Sequence, residues 1–137
     1  PIFPDFFADE GRHEFVYSIY PHGGSDLLGT LIEGESINRD LLTIEGRFRI
    51  ERPFIEMDAP TIGIMALKLA EEGSGKVLRV VELLGARGRA HIRTAFKFKH
   101  AWLCNLLEER IEPLTTDGEN VALDYEPFGI YTIMFEE

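Results

Sequence analysis

The chain has 137 residues, 45% of them hydrophobic and 11% aromatic, with 24 acidic against 14 basic side chains and a net charge of -10. A chain of this length buries roughly two thirds of the surface its unfolded form exposes, so it folds without disulfides or metal, and the single cysteine, Cys104, excludes both an internal bridge and a cysteine-based zinc site. The negative charge argues against general affinity for nucleic acid, which rests on Lys and Arg against phosphates, and no apolar run approaches the roughly 18 residues of a membrane span.

The first residues, Pro1-Ile2-Phe3-Pro4-Asp5-Phe6-Phe7, carry no initiator methionine and no basic-then-apolar signal segment. They read as the start of a piece cut from a longer protein, with a cytoplasmic location as the expectation. Period-two alternation then recurs along the chain. Residues 13–20 place Phe15, Tyr17 and Ile19 on one face and Val16 with Tyr20 on the other, which predicts a strand covered on both sides. Pro21-His22-Gly23-Gly24 breaks it. Residues 26–37 are the one predicted helix, with Leu27, Leu28, Leu31 and Ile32 at three- and four-residue spacings, although Gly29 and Gly34 each cost such a helix about 1 kcal/mol.

Residues 41–50 and 54–57 read as short strands, and residues 62–70 as a central strand, apolar on both faces apart from Lys68. Residues 71–76 form a hairpin turn rich in glycine, and residues 77–84 the returning strand. Residues 89–98 alternate, with Ala90, Ile92, Thr94, Phe96 and Phe98 on one side. Residues 101–107, 121–125 and 130–135 supply further strands. The prediction is an all-β fold: an antiparallel β-sandwich of about eight strands with one short helix, forming a single domain over residues 1–137.

Charge is uneven. Between Lys76 and Lys99 lie seven basic residues and one acid, whereas residues 111–137 hold seven acids and no base. On the strand from Arg89, the side chains of Arg89, His91, Arg93, Lys97 and Lys99 share one face. A solvated sheet face, or one set against acidic strands, is the preferred reading over an anion-binding stripe.

Catalytic machinery is missing. No phosphate loop, nucleophile elbow or zinc-protease helix motif is present. His13, His22, His91 and His100 lack metal-ligand spacing. Cys104 lies in an apolar strand and is expected to be a buried small hydrophobe. The doublets Glu71-Glu72 and Glu108-Glu109 point to opposite faces of a strand, so neither makes an acid/base couple. Trp102, Tyr17, Tyr125 and Tyr131 are expected in the core. Tyr20 is the least settled of the aromatics, because it borders the Pro-His-Gly-Gly turn.

Three segments resemble the alpha-mannosidases of glycoside hydrolase family 38. Residues 11–24, reading Gly11-Arg12-His13-Glu14-Phe15-Val16-Tyr17-Ser18-Ile19-Tyr20-Pro21-His22-Gly23-Gly24, are similar to that family's His-x-Phe-x-Tyr-x-Leu-Tyr-Pro-His-x-Gly stretch. Residues 65–82 look like its Ala-Leu-Lys segment followed by a Leu-Arg-x-x-Glu strand, here Leu78-Arg79-Val80-Val81-Glu82. Asn105-Leu106-Leu107-Glu108 and Pro127-Phe128-Gly129-Ile130 resemble its closing pattern, with Gly129 where the family prefers glutamate.

The resemblance implies a non-catalytic carboxy-terminal β domain of a much larger, zinc-dependent retaining alpha-mannosidase. Its catalytic groups and zinc belong to another domain, so no catalytic residue, metal ligand or cofactor is expected in this chain. The implied partners are that catalytic domain and, through it, a mannose-containing glycan. Tyr20 and His22 are the candidate contacts at the edge of the cleft. A stand-alone carbohydrate-binding module, with an exposed aromatic platform, is the alternative.

Overall fold

The computed structural model describes residues 10–39, 43–47, 49 and 51–137. The chain divides into two units, Pro1–Asp40 and Leu41–Glu137. Among the described residues of the first, the one regular element is the helix α1 (Leu27–Asn38). Asp26 starts it, its side chain accepting from the Gly29 amide. A Cβ on residue 29 would run into that carboxylate as it stands, so any other residue there would require the Asp26 side chain to shift.

Residues 13–20 form no strand, contrary to the alternation in their sequence. A strand exists only where a neighbour completes its ladder, and no described residue of this first unit hydrogen-bonds to the backbone of residues 15–19. Side-chain alternation specifies which faces want cover without supplying a partner. Tyr17, expected in the core, is accordingly exposed.

Among its described residues the second unit holds eight strands: β1 (Ile55–Met57), β2 (Ile62–Leu69), β3 (Lys76–Glu82), β4 (Gly88–Thr94), β5 (His100–Cys104), β6 (Arg110–Pro113), β7 (Asn120–Tyr125) and β8 (Ile130–Glu136). They form a three-stranded sheet in the order β1-β4-β7 and a five-stranded sheet in the order β2-β3-β8-β5-β6, with every pairing antiparallel. The predicted β-sandwich is therefore the fold. Of the strand expected over residues 41–50, residues 41, 42, 48 and 50 lie outside the described residues, and 43–47 with 49 are not in a strand.

The core lies between the sheets. Leu78 and Val80 of β3, Ile133 and Phe135 of β8 and Ala101 of β5 face Ala90 and Ile92 of β4 and Val121 and Leu123 of β7, all buried in one cluster with Phe98. The alternation read along residues 89–98 is the one that fills this space. A second cluster, Val77, Cys104 and Met134 with Trp102 and Ala70 beside it, occupies the opposite face of the five-stranded sheet.

A further strand expectation is corrected. Residues 62–70 read as a central strand, but β2 is the edge of the five-stranded sheet, and Ile64, Met65, Leu67 and Leu69 are exposed. Apolar side chains on both faces mark a buried strand only where a second layer covers them, and here five strands lie against three.

Candidate functional site

The segment around Tyr20 and His22 is built by the turn that precedes α1. Asp26 donates its backbone N–H to the Gly23 carbonyl at 2.9 Å, which closes the turn. The carboxylate of Asp26 then does two things: Oδ1 accepts from the Gly29 amide at 2.9 Å, and Oδ2 accepts from the Tyr20 hydroxyl at 3.2 Å. The Tyr20 and His22 rings stack at 5.6 Å with only 15° between their planes. His22 Nδ1 donates to the Gly23 carbonyl at 2.7 Å.

The two residues singled out in the sequence are thus brought together, and both are exposed. Asp26, which organises them, was missed as a site residue; its signal was its place as a capping side chain just before the helical pattern. The hydrogen bond to Asp26 and that carboxylate's charge push the Tyr20 phenol above its ordinary value, so it stays a protonated donor. Such a turn can offer a flat aromatic face and a polar edge to a ligand ring. It holds no oriented nucleophile or acid/base pair.

The other candidates are engaged elsewhere. His91 lies on the outer face of β4, where Asp58 takes both its backbone N–H at 2.7 Å and its Nδ1 at 2.8 Å. These contacts hold the Asp58 carboxyl below its usual range, the backbone N–H of His91 contributing most. Beside it Arg89 makes a two-pronged pair with Asp124 at 2.6 and 2.7 Å, and Arg93 approaches Glu56 at 3.5 Å. The basic stripe of β4 is therefore a solvated face set against acids on β1 and β7, as its sequence suggested.

Cys104 is buried, and burial pushes its thiol up, away from nucleophilic use. Trp102 is half-buried, its indole donating to Glu136 at 3.1 Å and its ring covered by the Arg110 guanidinium at 5.1 Å, so it offers no open platform. Among the described residues no three of His, Cys, Asp and Glu are grouped so as to hold a metal ion.

The residues of the two later sequence segments bind one another. Arg79 reaches from β3 to the Leu106 carbonyl at 3.1 Å and to the Thr132 hydroxyl at 3.2 Å. Lys68 pairs with Glu108 at 2.6 Å, and Glu108 also accepts the Glu71 amide at 2.8 Å. The Lys68 ammonium foremost, then that amide, hold the Glu108 carboxyl below its usual range. Asn105 sets the intervening turn, its Oδ1 accepting from the amides of Leu107 and Glu109.

Glu82 is fully buried at the end of β3. Its carboxylate accepts the amides of Leu84 at 3.1 Å, Gly85 at 2.7 Å and Phe128 at 3.0 Å. Burial alone pushes this carboxyl up, but the N–H groups of Phe128, Ala86, Leu84 and Gly85 outweigh it and hold the group at about 2. Gly129 follows from the same loop: the Tyr131 hydroxyl accepts the Glu126 amide at 2.6 Å, and the ring lies where a Cβ on residue 129 would have to go. A glutamate at this position would displace Tyr131.

The family described as "Glycosyl hydrolases family 38 C-terminal beta sandwich domain" matches residues 61–133, which hold β2 to β7 and the start of β8. Among curated proteins, alpha-mannosidase G of Dictyostelium discoideum is 33% identical over 98% of this chain and 13% of its own length. Alpha-mannosidase 2C1 of Mus musculus and that of Homo sapiens are 28% and 29% identical, each over 98% of this chain and 14% of its own length. The chain thus spans about a seventh of the relatives it matches.

Proposed function

The chain belongs to the C-terminal β-sandwich domains of glycosyl hydrolase family 38, and from that premise we propose that it is a non-catalytic domain of an alpha-mannosidase. The catalytic groups, any zinc among them, would lie in another part of a longer chain, and this domain would pack against that part. One observation carries the reading: the charged residues of its most family-like segments, Lys68, Arg79, Glu82 and Glu108, are consumed in bonds that fasten loops to strands. A carboxylate that accepts three or more backbone amides is neither a free nucleophile nor an acid ready to protonate a leaving group. Retaining hydrolysis needs an oriented carboxylate pair about 5 Å apart on either side of the bond.

Purified as 137 residues, the chain is expected to release no product from an aryl alpha-mannoside, with or without added zinc, and to give no heat of binding with mannan fragments. Zinc-dependent turnover would overturn the non-catalytic reading. Saturable binding would move the function to a carbohydrate-binding module.

The Tyr20-His22 turn is proposed to lie at the edge of the parent's cleft, where its stacked rings would meet a glycan. Replacing Tyr20 with alanine in the full-length enzyme should then raise KM for a mannose oligosaccharide severalfold while changing kcat less, because the contact is a binding one. Unchanged kinetics would remove the turn from the cleft.

A further inference from the structure

Two loops of the sandwich unit are held more firmly than exposed loops require. Among the described residues, the non-glycine positions with positive φ are Glu108 at 68° and Phe128 at 58°. A bulky side chain adopts that conformation only where its surroundings impose it. For Glu108 they are Lys68 and the Glu71 amide, which hold its carboxylate, while the amides of Leu107 and Glu109 are tied back to Asn105. For Phe128 they are the buried Glu82 carboxylate, which accepts its amide at 3.0 Å, and Gly85, against which its ring lies.

What these loops present is apolar. Leu106 and Leu107 of the first are 60% and 79% exposed, Phe128 of the second is 67% exposed, and Ile130, two residues further on, is 59% exposed. The two loops meet on one face of the five-stranded sheet. Arg79 bonds both the Leu106 carbonyl and the Thr132 hydroxyl, which sets the Leu106-Leu107 turn beside Thr132. Thr132 and Ile130 are two apart on β8 and share the face turned away from Ile133 and Phe135 of the core. The cations beneath the turn are already partnered, Arg79 by those two oxygens and Lys68 by Glu108 and Glu71. An apolar surface laid over the patch would leave neither cation without a partner.

We propose that Leu106, Leu107, Phe128 and Ile130 form the face by which the sandwich docks onto an apolar surface of the same alpha-mannosidase chain, outside Leu41–Glu137. The inference rests on the chain being one domain of such a parent, and it names the surface by which that domain packs. The relatives are about seven times this chain's length, so most of a parent of that size is there to cover the patch. All four residues fall within the span 61–133 matched to the family's sandwich. Contiguous exposed apolar side chains rimmed by polar groups mark interfaces, and fixing them beforehand lowers the ordering cost of docking. Three of the four are aliphatic and offer a sugar neither a hydrogen bond nor a flat ring, which sets a glycan aside.

Hydroxyl-radical footprinting of the unmodified full-length enzyme tests this, with turnover by the same preparation as the control for folding. Averaged over the four side chains, oxidation should be at least about tenfold slower in the native enzyme than in a proteolytic digest of it, because the centre of an interface packs like a protein interior. Any smaller slowing would leave the patch in water and overturn the proposal. Protection that is lost on dilution would assign the face to a second copy of the enzyme and overturn it equally. The outcome is separable from the non-catalytic reading, which stands or falls on turnover by the 137-residue chain whatever the footprint shows.

Discussion

Substituting alanine for Phe135 is expected to remove about 3–5 kcal/mol from the stability of the β-sandwich, as truncation of a buried aromatic does when the space left cannot collapse. Phe135 is buried in β8, with the ring of Phe98 at 5.0 Å and that of Phe96 at 5.3 Å, both in edge-on arrangements, and Phe54 behind Phe96 at 5.6 Å. The strands on either side, β3 and β5, place Lys76 and Ala101 opposite it. Removing the ring takes the central member from an aromatic stack between the two sheets. With a whole-domain stability of about 5–15 kcal/mol, the loss is a large share of what holds the fold. Urea unfolding at pH 7 measures it; a loss below about 1 kcal/mol would show that the aromatic stack repacks. Phe135→Leu, which refills part of the volume, should cost less.

The second large effect is electrostatic. Glu82 has a folded-state value of about 2 against an ordinary 4.5. Its carboxylate is favoured in the folded chain, so its contribution is fully present above about pH 4.5, erodes as the pH falls, and is gone near pH 2. Glu82→Gln should lower the urea midpoint at pH 7, because the amide keeps one acceptor oxygen and turns an NH2 group toward backbone donors. The curves for parent and variant should converge as the pH falls toward 2. Other carboxyls held below their usual range, Glu108, Asp58 and Asp124 among them, remain in the variant and preserve part of its acid sensitivity. A variant equal to the parent at pH 7 would mean that the four amides find water or other acceptors as readily as Glu82.

The particular strands explain how far alternation reaches. Ala90, Ile92 and Thr94 alternate because β4 has one face on the core and one in water, and their sequence states this outright. β6 (Arg110–Pro113) escaped notice because all four residues are exposed, two are charged and the last is proline, so an edge strand of this kind has no apolar face to announce it. β2 was misplaced for the converse reason: a two-faced apolar pattern reports a wish for cover, and the five-over-three arrangement leaves it unmet. Residues 13–20 carry the same ambiguity more sharply.

The candidate site divides in a similar way. Tyr20 and His22 were named as cleft-edge candidates on the family resemblance of the turn they flank, whereas Cys104 and the β4 stripe behave as their neighbours along the chain suggest. Glu82 did not reveal itself, because the Phe128 amide that completes its set of donors lies 46 residues away and enters only once β3 and β8 are paired. The acid's role is a property of the register, and no local pattern encodes it.

The irregularity in β2 has a bearing on how the domain behaves in concentrated solution. Its pairing with β3 slips between Ile64 and Ala66, and such a slip bends and over-twists the strand. A straight apolar margin of eight residues would template the addition of an identical strand from another molecule, the first step toward fibrils. With the bend at Met65 and the ammonium of Lys68 fixed on this same strand, two copies can match over only a few residues before geometry or charge parts them. Such a kink works against strand-by-strand addition along an edge rich in Ile, Met and Leu.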